Sequence, residues 1–165
     1  TAVANTLRTS AMIVTIIFGA LLFGYFMSLT QATDAMLEWV KASGLSPMTV
    51  LLLVVGLYLV LGMIMDQFAI IVLTVPISYA LITGLGFDGI WFGVLIVKTA
   101  EIGLVTPPLG LNIFIASAIT GVPTGKGFRG TALFLVAELI LLGLIIAFPE
   151  IVMFVPDYLM GARSG

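Results

Sequence analysis

Four stretches of this 165-residue chain, residues 9–33, 42–65, 67–87 and 102–125, contain no Asp, Glu, Lys or Arg. Each is as long as the roughly 20 apolar residues that a helix needs to cross the hydrocarbon core of a bilayer. Only 8% of the residues are charged and 61% are hydrophobic, whereas soluble domains run at about 25% charged and 45–50% apolar. That balance excludes a water-soluble fold and a disordered chain, and the sequence reads as an all-α integral membrane protein.

A net charge of -2 without a basic cluster leaves no electrostatic footprint for nucleic acid. With no Cys and no His, thiol catalysis, disulfides, haem and the usual zinc sites are excluded. Chemistry is left to carboxylates, hydroxyls and backbone, and no catalytic motif surrounds the carboxylates, so neither an enzyme nor a cofactor is expected. The chain starts at Thr1 without an initiator Met and no signal-peptide cleavage site separates from the first apolar run. It is expected to come from inside a longer polypeptide, as a single membrane domain fragment over residues 1–165.

Residues 11–30 are apolar all round and predict a transmembrane helix, with Gly19, Ala20 and Gly24 as small residues for helix packing. Residues 33–43 place Asp34, Glu38 and Lys41 on one face and predict an interfacial helix with Trp39 at headgroup depth. Residues 48–82 are apolar but interrupted at 62–67 by Gly62-Met63-Ile64-Met65-Asp66-Gln67. Arms of 49–61 and 68–82 fall short of a core about 30 Å thick, which points to a re-entrant hairpin with its tip at 62–67. One long helix with a polar interruption, or two compressed spans, is the alternative.

Residues 90–120 predict a further span, broken at 106–110 by Thr106-Pro107-Pro108-Leu109-Gly110. Proline lacks an N–H and pushes its predecessor out of helical geometry, so two in a row end the helix. The first half-helix then ends on free carbonyls and the second begins on free N–H groups. A gap of that kind accommodates a cation on one side and an anionic group on the other. A loop over 121–127 precedes a last span at 130–148 that contains Glu138, and Trp91 and Tyr158 are candidate residues of the interfacial aromatic belt. Placing the N-terminus inside puts Arg8, Lys126 and Arg129 in the cytoplasm and Lys41 and Arg163 outside, a margin of three to two.

The segments GMIMDQFAIIVLTVP at 62–76, GFDGIWFG at 86–93 and EIGLVTPPLGLN at 101–112 are specific. They resemble the C-terminal half of the large, DctM-type membrane subunit of tripartite ATP-independent periplasmic (TRAP) transporters, over about residues 10–158. The resemblance implies half of an inverted-repeat elevator fold, with three transmembrane helices, one of them discontinuous, and one re-entrant hairpin. It implies a Na⁺-driven importer of small organic acids, such as C4-dicarboxylates or sialic acid, in the bacterial inner membrane. The implied partners are the N-terminal half of the same subunit, a small TRAP membrane subunit, a periplasmic substrate-binding protein and the lipid bilayer. A truncated or non-transporting membrane assembly protein is the alternative.

Gly62 and Thr106 are the candidate Na⁺ ligands, Gly62 through carbonyls at a sharp turn and Thr106 through its hydroxyl and non-helical carbonyl. Gly62 reads otherwise as a packing glycine. Asp66 is either a further ligand or the cap of the second arm. Gly103, Pro107, Pro108, Gly110 and Asn112 either line the sodium and substrate site or only shape the break. Lys98 and Glu101, three residues apart on one helical face, are a candidate intramembrane charge pair, and Glu138 is expected to serve helix packing.

Overall fold

The structure is a computed structural model that describes residues 2–160, and Arg163 lies outside them. The described residues form eight α-helices and no strand. Helix α1, Ala2–Leu29, extends the expected span of 11–30 toward the N-terminus, because nothing between Ala2 and Ser10 opposes a helix. It ends where Gln31 takes a left-handed conformation (φ 50°), and α2, Ala32–Ala42, follows. Asp34 in the first turn of α2 and Lys41 in the last suit the helix dipole. Trp39 is exposed and Val40 buried.

Helix α3, Pro47–Ile64, starts on Ser46, whose hydroxyl accepts from the Thr49 amide at 3.2 Å, with Pro47 at a position where no N–H is needed. Helix α4 is Gln67–Gly84. Both helices have 18 residues and reach about 27 Å at ~1.5 Å per residue. Arms of 49–61 and 68–82 therefore underestimate them, and the argument that both are too short to cross falls. Gly62, Met63 and Ile64 stay helical, and only Met65 and Asp66 are extended.

The chain does reverse there. Tyr58, seven residues before Met65, lies with its hydroxyl 2.8 Å from Ser78 Oγ and 2.6 Å from Thr74 Oγ1. Those contacts require α3 and α4 to be antiparallel neighbours and exclude one continuous helix.

Helix α5, Gly89–Val105, is the centre of the molecule and packs against α3, α4, α7 and α8. Phe92, Leu95, Thr99 and Ala100 are wholly buried along it. Trp91 is also buried, at 2% exposure, and its indole N–H donates to the Ile145 carbonyl at 2.9 Å. It is a core residue and not a belt residue: a large ring with one donor suits a site that supplies both apolar walls and an acceptor.

The broken helix continues as α6, Leu111–Thr120, and α7 is Thr124–Ala147. The expected loop over 121–127 shrinks to Gly121-Val122-Pro123, so the last span begins six residues before 130. Gly125 and Gly127 are poor helix formers, but Gly127 lets α7 lie against Ile113 of α6, where a Cβ would come within 2.8 Å of Cγ2. Helix α8 is Glu150–Met160, and Tyr158 on it is exposed. Among the described residues α1, α3, α4 and α7 are long and apolar enough to cross a membrane.

Candidate functional site

The break between α5 and α6 follows from two prolines. In a continuous helix the amides at 107 and 108 would close onto the carbonyls of Gly103 and Leu104, and prolines at both positions remove them. The Thr106 amide bonds back to the Gly103 carbonyl at 3.0 Å, and the Thr106 hydroxyl donates to the Ile102 carbonyl at 2.6 Å. Leu104 is left with proline at both of its possible intrahelical donor positions. Thr106 itself is extended (φ -84°, ψ 132°), so its carbonyl leaves the helix direction. The Pro107–Pro108 peptide bond is cis.

Gly110 begins α6 in the left-handed region, at φ 50° and ψ 64°, where glycine is strongly preferred. It has no side chain to cap the helix, and its carbonyl accepts from Ile113 and Phe114. The amides of Leu111 and Asn112 receive no capping side chain. A Cβ at 110 would sit 2.6 Å from the Phe128 ring and 3.3 Å from the Thr106 carbonyl oxygen. The end of one half-helix thus faces the start of the other across a single glycine. Pro107, Pro108 and Asn112 are exposed beside it, and the Asn112 amide has no hydrogen-bond partner among the described residues.

The hairpin meets this helix through glycine. A Cβ on Gly103 would lie 2.6 Å from Gly62 Cα and 2.8 Å from the Leu59 carbonyl, and one on Gly62 would lie 2.8 Å from the Ala100 carbonyl. Gly62 is therefore a buried crossing point within α3 and not the point where the chain turns. Asp66 makes that turn and caps α4, accepting from the Phe68 and Ala69 amides at 2.9 and 3.2 Å.

Lys98 stands between two carboxylates. Its Nζ donates to Glu101 Oε2 at 3.2 Å and lies 2.7 Å from Glu138 Oε2 on α7. The second contact is the shorter but is poorly aligned, so the buried Glu138 oxygen is held by charge more than by a directed hydrogen bond. A cleft of about 150 Å³ opens beside it, lined by Glu101, Val105, Thr131 and Glu138 among others.

The family model of the DctM component of the tripartite ATP-independent periplasmic transporters matches residues 1–151. The chain belongs to this family. It is 36% identical over 152 residues to the C4-dicarboxylate TRAP transporter large permease protein DctM of Pseudomonas aeruginosa, covering 92% of this chain and 36% of that protein. It is 28% identical over 157 residues to the sialic acid TRAP transporter large permease protein SiaM of Vibrio cholerae, covering 95% and 37%. With the sialic acid TRAP transporter permease protein SiaT of Haemophilus influenzae the figures are 31% over 159 residues, 96% and 25%. The chain thus spans about a third of the length of the first two of these relatives. As a DctM segment it is part of a multi-pass protein of the bacterial inner membrane.

Within this DctM segment the structure joins Gly62 to Gly103, Thr106 to Gly110, and Lys98 to both Glu101 and Glu138. It does not join Asp66 or Asn112 to the others by any hydrogen bond among the described residues. Two features escaped the sequence reading. The Tyr58, Thr74 and Ser78 hydroxyls of the hairpin form one network, with Tyr58 and Ser78 buried and Thr74 half-buried; the spacing of Thr74 and Ser78 on α4 is a signal, but the partner Tyr58 is visible only once the hairpin is closed. The reach of Lys98 to Glu138 crosses 40 residues of sequence, and no local pattern announces it.

Proposed function

We propose that this segment supplies one half of the ion and substrate site of a Na⁺-coupled TRAP permease that imports small organic acids. The observation that carries the reading is the uncapped break, where the Thr106 carbonyl at the end of α5 comes up to Gly110, which starts α6 without a capping side chain. Carbonyl oxygens suit a hard monovalent cation, and the positive end of α6 suits a carboxylate. Thr106 is the central ligand: donating its hydroxyl proton to Ile102 leaves the oxygen lone pairs free, and its carbonyl is turned out of the helix. Asn112 offers an exposed side-chain amide on the anion side.

In this reading the α3–α4 turn is a re-entrant tip, supported by its attachment at Gly62 to the last turns of α5. The N-terminal half of the subunit contributes a matching hairpin and broken helix, and the two move together as an elevator. A small TRAP membrane subunit and a periplasmic binding protein complete the transporter. Relatives named for C4-dicarboxylate and sialic acid support a carboxylate as the substrate class.

Uptake by the complete transporter in liposomes tests this. It is expected to require an inward Na⁺ gradient, and Thr106→Ala is expected to raise the Na⁺ concentration for half-maximal uptake. Equal uptake in Na⁺-free medium defeats the reading.

A further inference from the structure

Helix α7 touches the discontinuous helix on both sides of its break. At one end the Ile145 carbonyl accepts from Trp91 of α5. Seven residues away along each helix, Glu138 of α7 meets Lys98 of α5. The equal spacing shows that α7 runs antiparallel to α5 in register over about 10 Å. Ten residues further back along α7, Phe128 packs under Gly110 and meets Phe114 of α6 edge to face, with ring centroids 6.2 Å apart. Gly127 lies against Ile113. No backbone hydrogen bond joins the end of α5 to the start of α6 among the described residues, because the prolines remove the donors. The relative placement of the two half-helices therefore needs an outside support.

We infer that α7 is a splint across the break, and that Glu138 is a positioning residue that sets the gap between the Thr106 carbonyl and the α6 amides through its ion pair with Lys98. Among the described residues this charge contact and the Trp91 hydrogen bond are the polar side-chain contacts between the splint and α5, and the charge contact lies eight residues before Thr106, about 12 Å along α5. Half-buried between apolar helix faces, such an ion pair adds little net stability but favours one register, since sliding α7 separates its two charges. Lys98 is shared with Glu101, so the cluster carries two acids and one base. This inference rests on the reading that the break binds ligand, but its structural half stands without it.

This segment has no cysteine, so with any cysteines elsewhere in the transporter replaced by serine a cross-linking test is direct. In the complete transporter in membranes, Ile113→Cys with Gly127→Cys places two thiols at the α6–α7 contact, and replacing Ile113 removes the methyl group that a side chain at 127 would strike. Oxidative cross-linking is expected to be fast in this pair, to slow at least about fivefold when Glu138→Gln is added, and to recover when Lys98→Glu and Glu138→Lys are combined. That exchange keeps two acids and one base in the cluster. Without the cysteines, Glu138→Gln is expected to raise the half-saturating Na⁺ concentration about tenfold at unchanged maximal uptake and unchanged protein abundance. An unaltered cross-linking rate in Glu138→Gln, or a charge exchange that folds but does not restore it, overturns the splint. Cross-linking that follows the expected pattern while uptake ignores Na⁺ supports the splint and removes instead the proposed transport reading.

Discussion

At the α3–α4 turn the new helix starts on Asp66, whose carboxylate takes two amide protons, whereas α6 starts on Gly110, which has no side chain to take any. The ends on the other side differ in the same way. Helix α3 closes with the Met65 amide on the Leu61 carbonyl, as an ordinary helix does, while α5 ends at two prolines that leave the Leu104 carbonyl without an intrahelical donor. Both interrupt a long apolar run. The first caps its own backbone with Asp66, and the second begins α6 with no capping side chain and ends α5 at two prolines. The contrast teaches that an interruption becomes a candidate ligand site through what it leaves unbonded.

The largest expected effect concerns the point that joins the two regions. Gly103→Ala drives a methyl group into the backbone of α3 at Gly62 and Leu59, which cannot rotate away, and should cost about 3 kcal/mol. Thermal unfolding of the complete transporter in detergent measures it, and an unchanged midpoint breaks the claim that hairpin and broken helix are locked by glycine contact. Gly110→Ala should cost about 1.5 kcal/mol, from the left-handed backbone conformation, with Phe128 displaced in addition. Unlike the first variant, it should also weaken Na⁺ dependence of uptake, and a change in stability alone would move Gly110 to the structural side of the comparison.

Tyr58→Phe removes the hydroxyl that links the hairpin arms. Thr74 and Ser78 keep their bonds to the carbonyls of Ile70 and Thr74, so the loss is confined to about 1 kcal/mol. Its half-saturating Na⁺ concentration should stay at the parent value. Asp66→Asn should be the mildest change, a few tenths of a kcal/mol, because asparagine caps a helix about as well as aspartate. Uptake assayed against Na⁺ concentration sharpens the contrast most here: a curve that matches the parent leaves Asp66 as a cap, and a large rightward shift makes it a cation ligand.

Much of the molecule was legible along the chain. The helices were visible because a bilayer demands long charge-free runs, and the break at 106–110 because two adjacent prolines leave the backbone no helical option. Helix ends were less so. The arms around Gly62 were read as short because glycine and methionine next to an aspartate look like a loop, yet glycine continued the helix where α5 pressed against it. Trp91 looked like a belt residue for its position near a predicted span end, and it was buried because α7 brought the Ile145 carbonyl to its indole.

The sequence by itself determined that this chain lies in a membrane, that its backbone breaks at Pro107 and Pro108, and to which family its motifs belong, since all three follow from local composition and order. Only the tertiary structure decided that Gly62 is a crossing point, that Asp66 serves as a cap, and that Lys98 reaches Glu138. Those outcomes depend on which helices lie side by side, and van der Waals contact and charge pairing act through space between residues far apart in sequence.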